Sequence, residues 1–235
     1  TLFECARDRS REGYQEALTI AADVWLQVVR ELTAAGVVHG DLQHGNVMVS
    51  SEGYFKLVDY DCLAVPALMG QPNMEIGMEP YQHPGRTAET TLFPGLDHFS
   101  ALVIYVALRA LAAAPHLWIT HVDTPSYDKL LFRRQDFQNP NASQLYHELM
   151  NSPDEQVRDL THYLMQLVHY NLHDVPPVEE VLLWCNSLDD LLTQRDWDMA
   201  LQLVQRMGPG EEIPAHLAPQ VDEARRRVGC RQALE

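Results

Sequence analysis

The sequence predicts a mainly α-helical chain with one small β-hairpin and a C-terminal helical hairpin, organised as a main domain over 1–192 and a smaller one over 193–235. Three observations predict it. Over most of the chain apolar residues recur every three or four positions, the mark of helices that bury one face. Val47-Met48-Val49 and Phe55-Lys56-Leu57-Val58 flank a polar turn containing Gly53, a pattern that reads as a hairpin. From Arg195 the texture changes to two helical stretches, Asp196–Met207 and Pro214–Val228, separated by the breaker run Gly208-Pro209-Gly210.

The residues before His39 read as helix. From Tyr14 to Ala35 the apolar positions Leu18, Ala21, Trp25, Val28, Val29 and Leu32 form one face, and Gly36 is placed to cap the C-terminus. After the hairpin, Cys62 to Pro94 is rich in Gly and Pro and reads as a long loop, a class that is usually functional or disordered. Ala101–Leu108 is apolar on most sides, so it reads as a buried central helix with Asp97 at its start as a possible cap. Further on, Ser126–Arg134 and Ala142–Met150 are short amphipathic candidates. Ser152-Pro153-Asp154-Glu155 reads as an N-terminus with Ser152 as cap, opening a helix through Val168. Pro176-Pro177 breaks the chain before a helix over Val178–Leu192. A single helical hairpin cannot bury its own face, so the C-terminal pair packs on the main domain or begins a repeat array.

Composition narrows the function classes. With 33 acidic and 17 basic residues the formal net charge is -16, which argues against nucleic-acid partners because a phosphate backbone needs clustered cations. Cys5, Cys62, Cys185 and Cys230 are scattered, without metal or disulfide-framework spacing, which fits a reducing compartment. The longest apolar run, near Ala101–Ala114, contains Arg109 and is too short to span a bilayer. No secretory signal precedes the first helix, and the expected location is cytoplasmic. The chain begins with Thr1 and not Met, as a piece of a longer protein would.

One stretch carries chemistry. His39-Gly40-Asp41-Leu42-Gln43-His44-Gly45-Asn46 precedes the hairpin and Asp59-Tyr60-Asp61 follows it. A hairpin folds its ends together, so Asp41 and Asn46 before it can face Asp59 after it. Such an oxygen cluster suits Mg²⁺, which is commonly held by one or two carboxylates plus substrate phosphates.

His39-x-Asp41-x-x-x-x-Asn46 followed by Asp59-x-x resembles the catalytic loop and metal-binding motif of the protein-kinase-like superfamily. The resemblance covers about residues 14–190 and implies a kinase C-lobe-like helical domain, with ATP and Mg²⁺ as cofactors. It implies Asp41 as the base toward the acceptor hydroxyl, and Asn46 and Asp59 as nucleotide-site residues that ligate Mg²⁺. His39 and Gln43 fall in the same catalytic loop, Asp61 beside the metal ligands, and His44 among polar groups around the γ-phosphate. Tyr81-Gln82-His83-Pro84-Gly85 is similar to the closing motif of the family's activation segment, and Asp97-x-x-Ser100 to the start of its central helix. There the Asp hydrogen-bonds back to the catalytic-loop backbone.

The chain departs from ordinary kinases at four positions. Gly40 replaces an Arg that couples the loop to a phosphorylated segment, and Gln43 replaces a Lys directed at the transferred phosphate. Asp61 replaces the Gly of the metal motif and Gly85 the Glu that anchors the activation segment. Close carboxylates at Asp59 and Asp61 repel unless a cation neutralises them. The 38 residues before His39 contain no Gly-rich lid, so the resemblance implies an N-lobe in the same longer chain and little activity without it. The expectation is therefore the C-lobe of an ATP-dependent phosphotransferase, protein-kinase-like, whose acceptor, with a protein among the candidates, is chosen by the Cys62–Pro94 loop. A pseudokinase-type binding module and a small-molecule phosphotransferase of the aminoglycoside or choline kinase type are the alternatives.

Overall fold

Thr1 accepts a hydrogen bond from the Glu4 N–H while the Glu4 carboxylate returns to the Thr1 ammonium, and this capping box starts the first helix, α1 (Leu2–Glu12). Gly13, in the left-handed conformation, ends it, and α2 (Gln15–Ala35) follows. The computed structural model describes residues 1–73, 75–123, 129–185, 188–206, 213 and 217–232. The chain is mainly helical, and its sheet among the described residues is one antiparallel pair, β1 (Val47–Val49) and β2 (Phe55–Leu57). Two compact units emerge, Thr1–Val178 and Glu179–Glu235.

In the first unit α2 buries Leu18, Ala21, Ala22, Trp25, Leu26 and Val29, the face its periodicity predicts. Gly36 caps it at φ 62°, donating back to the last turn. The partner of that face is α3 (His98–Ala113), in which every residue from Phe99 to Leu108 is buried, as its apolar composition requires. The indole of Trp25 is fully buried and donates to the Ala101 carbonyl at 2.9 Å, which fixes where α2 crosses α3. Two further helices, α5 (Gln144–Met150) and α6 (Glu155–Leu167), pack on each other, with α6 also against α3.

The hairpin pairs Val47 with Leu57, Met48 with Lys56 and Val49 with Phe55. Val47 and Leu57 are buried while Met48 and Lys56 are exposed, so alternation sets the register. Ser50 Oγ accepts from the Glu52 and Tyr54 N–H groups and tightens the turn.

Two local expectations are corrected. No helix covers 129–133; α4 begins at Arg134 and runs to Gln138, while residues 124–128 of the expected segment lie outside the described residues. Leu130, Leu131 and Phe132 are all buried, and the backbone bends at Leu130 and Leu131 instead of coiling. The cap of α6 is Asp154, whose Oδ1 accepts from the Val157 N–H, and not Ser152, which binds the Asp154 N–H instead. The shorter turn leaves Pro153 outside the helix.

The second unit holds α8 (Leu188–Thr193), α9 (Trp197–Arg206) and α10 (Ala218–Gln232), which pack on one another, preceded by α7 (Val178–Cys185) starting at the unit boundary. Residues 186–187 within the expected Val178–Leu192 helix, the turn Gly208-Pro209-Gly210 and Pro214 lie outside the described residues. Among the described residues no helix is long and apolar enough to cross a membrane. Removing the Trp25 anchor tests the core: Trp25→Ala is expected to cost about 3–5 kcal/mol of stability. Urea denaturation should show a lower midpoint with an unchanged slope.

Candidate functional site

After Gly36 reverses the chain, Val38 pairs with Ala64 through two hydrogen bonds of 2.9 and 2.7 Å, bringing the segment before the hairpin beside the segment after it. The next two N–H groups, of His39 and Gly40, enter the interior and both donate to the Asp97 carboxylate, at 2.5 Å and 3.1 Å. Asp97 stands at the start of α3 yet makes no side-chain cap bond there. Its carboxylate serves the loop, the contact that the resemblance implies, and the plain helix-cap alternative falls away. Burial pushes the Asp97 carboxyl up, opposed by the His39 N–H, the nearby His39 and Arg86 side chains and the Gly40 N–H.

His39 is fully buried and its Nε2 meets the Val58 carbonyl at 3.0 Å, so this nitrogen carries the proton. The imidazole thereby supports the strand end from below and lies away from the surface. Gly40 is a necessity of space: at φ 83° an added Cβ would lie 2.8 Å from the Cys62 carbonyl.

Asp41 and Asn46 come together. Asn46 Nδ2 donates to the Asp41 carbonyl at 3.0 Å and to Asp41 Oδ2 at 3.1 Å. The Asn46 carbonyl in turn accepts from Val58 N–H at 3.0 Å, so the hairpin closes directly in front of Asp59. Asp59 adopts φ 65°, a left-handed turn that Asp tolerates better than most residues, and is exposed. The Cys62 thiol is shifted by its burial and by neighbouring acids. Burial, then a hydrogen bond to Glu75 and the charges of Glu75, Asp41 and Asp59, push it up to about 11.

The remaining sequence candidates sit differently. Gln43 turns its Oε1 onto the Gly45 N–H at 3.1 Å, capping the short turn His44–Asn46. His44 is buried, bonded through Nδ1 to the Tyr81 hydroxyl and packed against Phe3, so it braces the loop from within. Asp61 is exposed in the turn after Asp59 and makes no hydrogen bond to Asp41 or Asn46.

Do these residues fit Mg²⁺? Asn46 commits its Nδ2 to Asp41, which leaves its carbonyl Oδ1 as the atom that can serve a cation, and Asp59 offers an exposed carboxylate. Both are hard oxygens of the kind Mg²⁺ prefers. Among the described residues no three His, Cys, Asp or Glu side chains form a metal-binding group. The set therefore fits an ion held jointly with a phosphate ligand, and not a self-sufficient metal centre.

The loop over Cys62–Pro94 is built around this site, and it holds residues that sequence reasoning missed. Gly70 and Gln71 bond Leu92, closing the loop on itself, and Met78 N–H donates to Asp41 Oδ1 at 3.0 Å. Gly85 cannot form an anchoring ion pair. Its N–H instead donates to His83 Nδ1 at 3.0 Å, while His83 Nε2 donates to the Leu167 carbonyl at 3.0 Å. These two bonds fix the neutral ring, and burial lowers the His83 pKa against the opposing pull of the Leu167 bond. Arg86, a lone cation in a Gly/Pro-rich stretch, is buried and reaches back to the Gly40 carbonyl at 2.7 Å. No periodicity or motif marks it; only its isolation among loop residues sets it apart.

No model of a known protein family matches the chain, and no curated protein matches it.

Asp97→Ala leaves two interior N–H groups without a partner, at about 1–3 kcal/mol each, so a loss of about 3 kcal/mol or more is expected in chemical denaturation. A second expectation concerns pH. Because the folded His83 pKa lies below its ordinary 6.5, the unfolded chain binds more protons below that pH. The stability it contributes is present above 6.5 and is lost as pH falls toward the folded value. The raised Asp97 carboxyl has the opposite sign, so the comparison is between wild type and His83→Gln. Melting followed from pH 7 to about 5 should show a steeper fall for wild type than for the variant.

Proposed function

We propose that this chain is the C-terminal lobe of an ATP-dependent phosphotransferase of the protein-kinase-like type, working in a cytoplasmic setting. The observation that carries the reading is the pairing of Asp41 with Asn46, side chain to side chain, where the hairpin closes in front of Asp59. A carboxylate held this way is pre-oriented. Asp41 keeps acceptor capacity beyond the bonds from Asn46 and Met78, enough to take the proton of an acceptor hydroxyl as its oxygen attacks the terminal phosphorus of ATP and ADP leaves.

Asn46 and Asp59 would hold Mg²⁺ together with the nucleotide phosphates, with Asp61 close in sequence as an additional carboxylate. The ion, when bound, neutralises charge on the phosphates. His39 and Asp97 are positioning residues in this reading, because both are buried and support the loop from beneath. The C-lobe architecture is supported by the long α2 ahead of the loop, the hairpin after it, and the buried α3, before which Asp97 turns back to the loop. A protein acceptor fits the loop segment that Met78 holds beside Asp41, and an N-lobe elsewhere in a longer chain would cover the phosphates.

A binding module without turnover is the second reading. It is favoured by Gln43, whose carbonyl is spent on Gly45 and which brings no cation toward a phosphate. Full-length protein incubated with MgATP separates the two. Under the phosphotransferase reading Asp41→Asn and Asp59→Ala each lower ATP turnover or autophosphorylation by about 100-fold or more. Turnover unchanged by both substitutions rejects it.

A further inference from the structure

Arg86 is 6% exposed, and its guanidinium is spent on three oxygens drawn from three places in the chain. One Nη donates to the Gly40 carbonyl at 2.7 Å and to the Glu75 carbonyl at 3.1 Å, and the other to Gln82 Oε1. A buried guanidinium with no carboxylate bonded to it is costly to keep. What it holds therefore matters.

The Gly40 residue is gripped at both of its polar groups: Asp97 takes the N–H and Arg86 takes the C=O. The carbonyl belongs to the peptide plane leading into Asp41, so fixing it restricts where the Asp41 side chain can point. The second grip lies on the other side of the same carboxylate. Glu75 begins a short backbone run whose Met78 N–H donates to Asp41 Oδ1. Gly77 passes so close that an added Cβ would stand 2.8 Å from Oδ1. Among the described residues, Arg86 is the side chain hydrogen-bonded both to the loop ahead of Asp41 and to the run that covers it.

We infer that Arg86 is a positioning residue for Asp41, clamping the Gly40 carbonyl and the Glu75–Met78 backbone together so that the carboxylate is held in one direction. The clamp is built from unmodified side chains and closes on folding, so no covalent modification of the segment is needed to set Asp41. The catalytic consequence rests on the phosphotransferase reading above; the clamp itself does not.

The test uses the full-length protein with Arg86→Gln, Arg86→Lys and Gly77→Ala, MgATP as the probe, and hydrogen exchange alongside kinetics. Arg86→Gln should lower kcat by about 100-fold with KM for MgATP unchanged, because a displaced group costs rate and not nucleotide binding. Arg86→Lys, a single-point donor, should fall between that variant and wild type. The Met78 amide should exchange about tenfold faster in Arg86→Gln than in wild type. Should Arg86→Gln fail to fold, Gly77→Ala, whose Cβ would stand 2.5 Å from Gln82 Nε2 and 2.8 Å from Asp41 Oδ1, pushes the run off Asp41 without touching the Arg86–Gly40 bond and should reproduce the same kcat-only loss. Met78 exchange independent of Arg86, a loss confined to KM, or an unchanged kcat in Gly77→Ala overturns the inference. A wild-type protein that never turns over MgATP, but whose Met78 exchange depends on Arg86, overturns the phosphotransferase reading and supports the clamp.

Discussion

Two backbone N–H groups, those of His39 and Gly40, point away from water with no helix or strand to receive them, and the Asp97 carboxylate receives both. Leaving them unmet would cost several kcal/mol, comparable with a large share of a domain's net stability. That carboxylate can reach them because α3 starts there, and α3 starts there because its apolar length is packed against α2, with Trp25 locked onto Ala101. The Asp97 carboxylate thus ties the candidate site to the start of α3.

The loop so fixed is short of freedom in every direction. Gly40 has no room for a side chain beside Cys62, His39 props the end of β2, and Gln43 closes the turn that presents Asn46. Departures that look like losses when compared with a kinase motif acquire local reasons. The glycine at position 40 avoids a collision, and the glutamine at position 43 caps a turn. The glycine at position 85 is accompanied by His83 and Arg86, which tie the segment to Leu167 and to Gly40.

Charge is distributed with similar economy. Asp41, Asp59 and Glu75 all act on the Cys62 thiol, and the buried Arg86 is drawn upward by Asp97 and Asp41 against the downward push of burial. Such a cluster of carboxylates repels itself in isolation. It is tolerable because Asp41 is hydrogen-bonded on both oxygens and Asp59 remains in water.

The sequence by itself determined the helices with clear periodicity, the Gly36 cap, the hairpin, and the nearness of Asp41 and Asn46 ahead of it. All of these depend on residues close along the chain, where spacing translates directly into geometry. Tertiary structure alone decided the rest. The non-helical run Leu130–Phe132 overrides a helical pattern because each of its side chains finds a buried place, and Asp154 displaces Ser152 as cap by a two-residue shift that spacing does not resolve. His44 became a brace and Arg86 a clamp through partners 37 and 46 residues away. No local pattern encodes a bond of that reach, because it forms only once distant segments have been packed together.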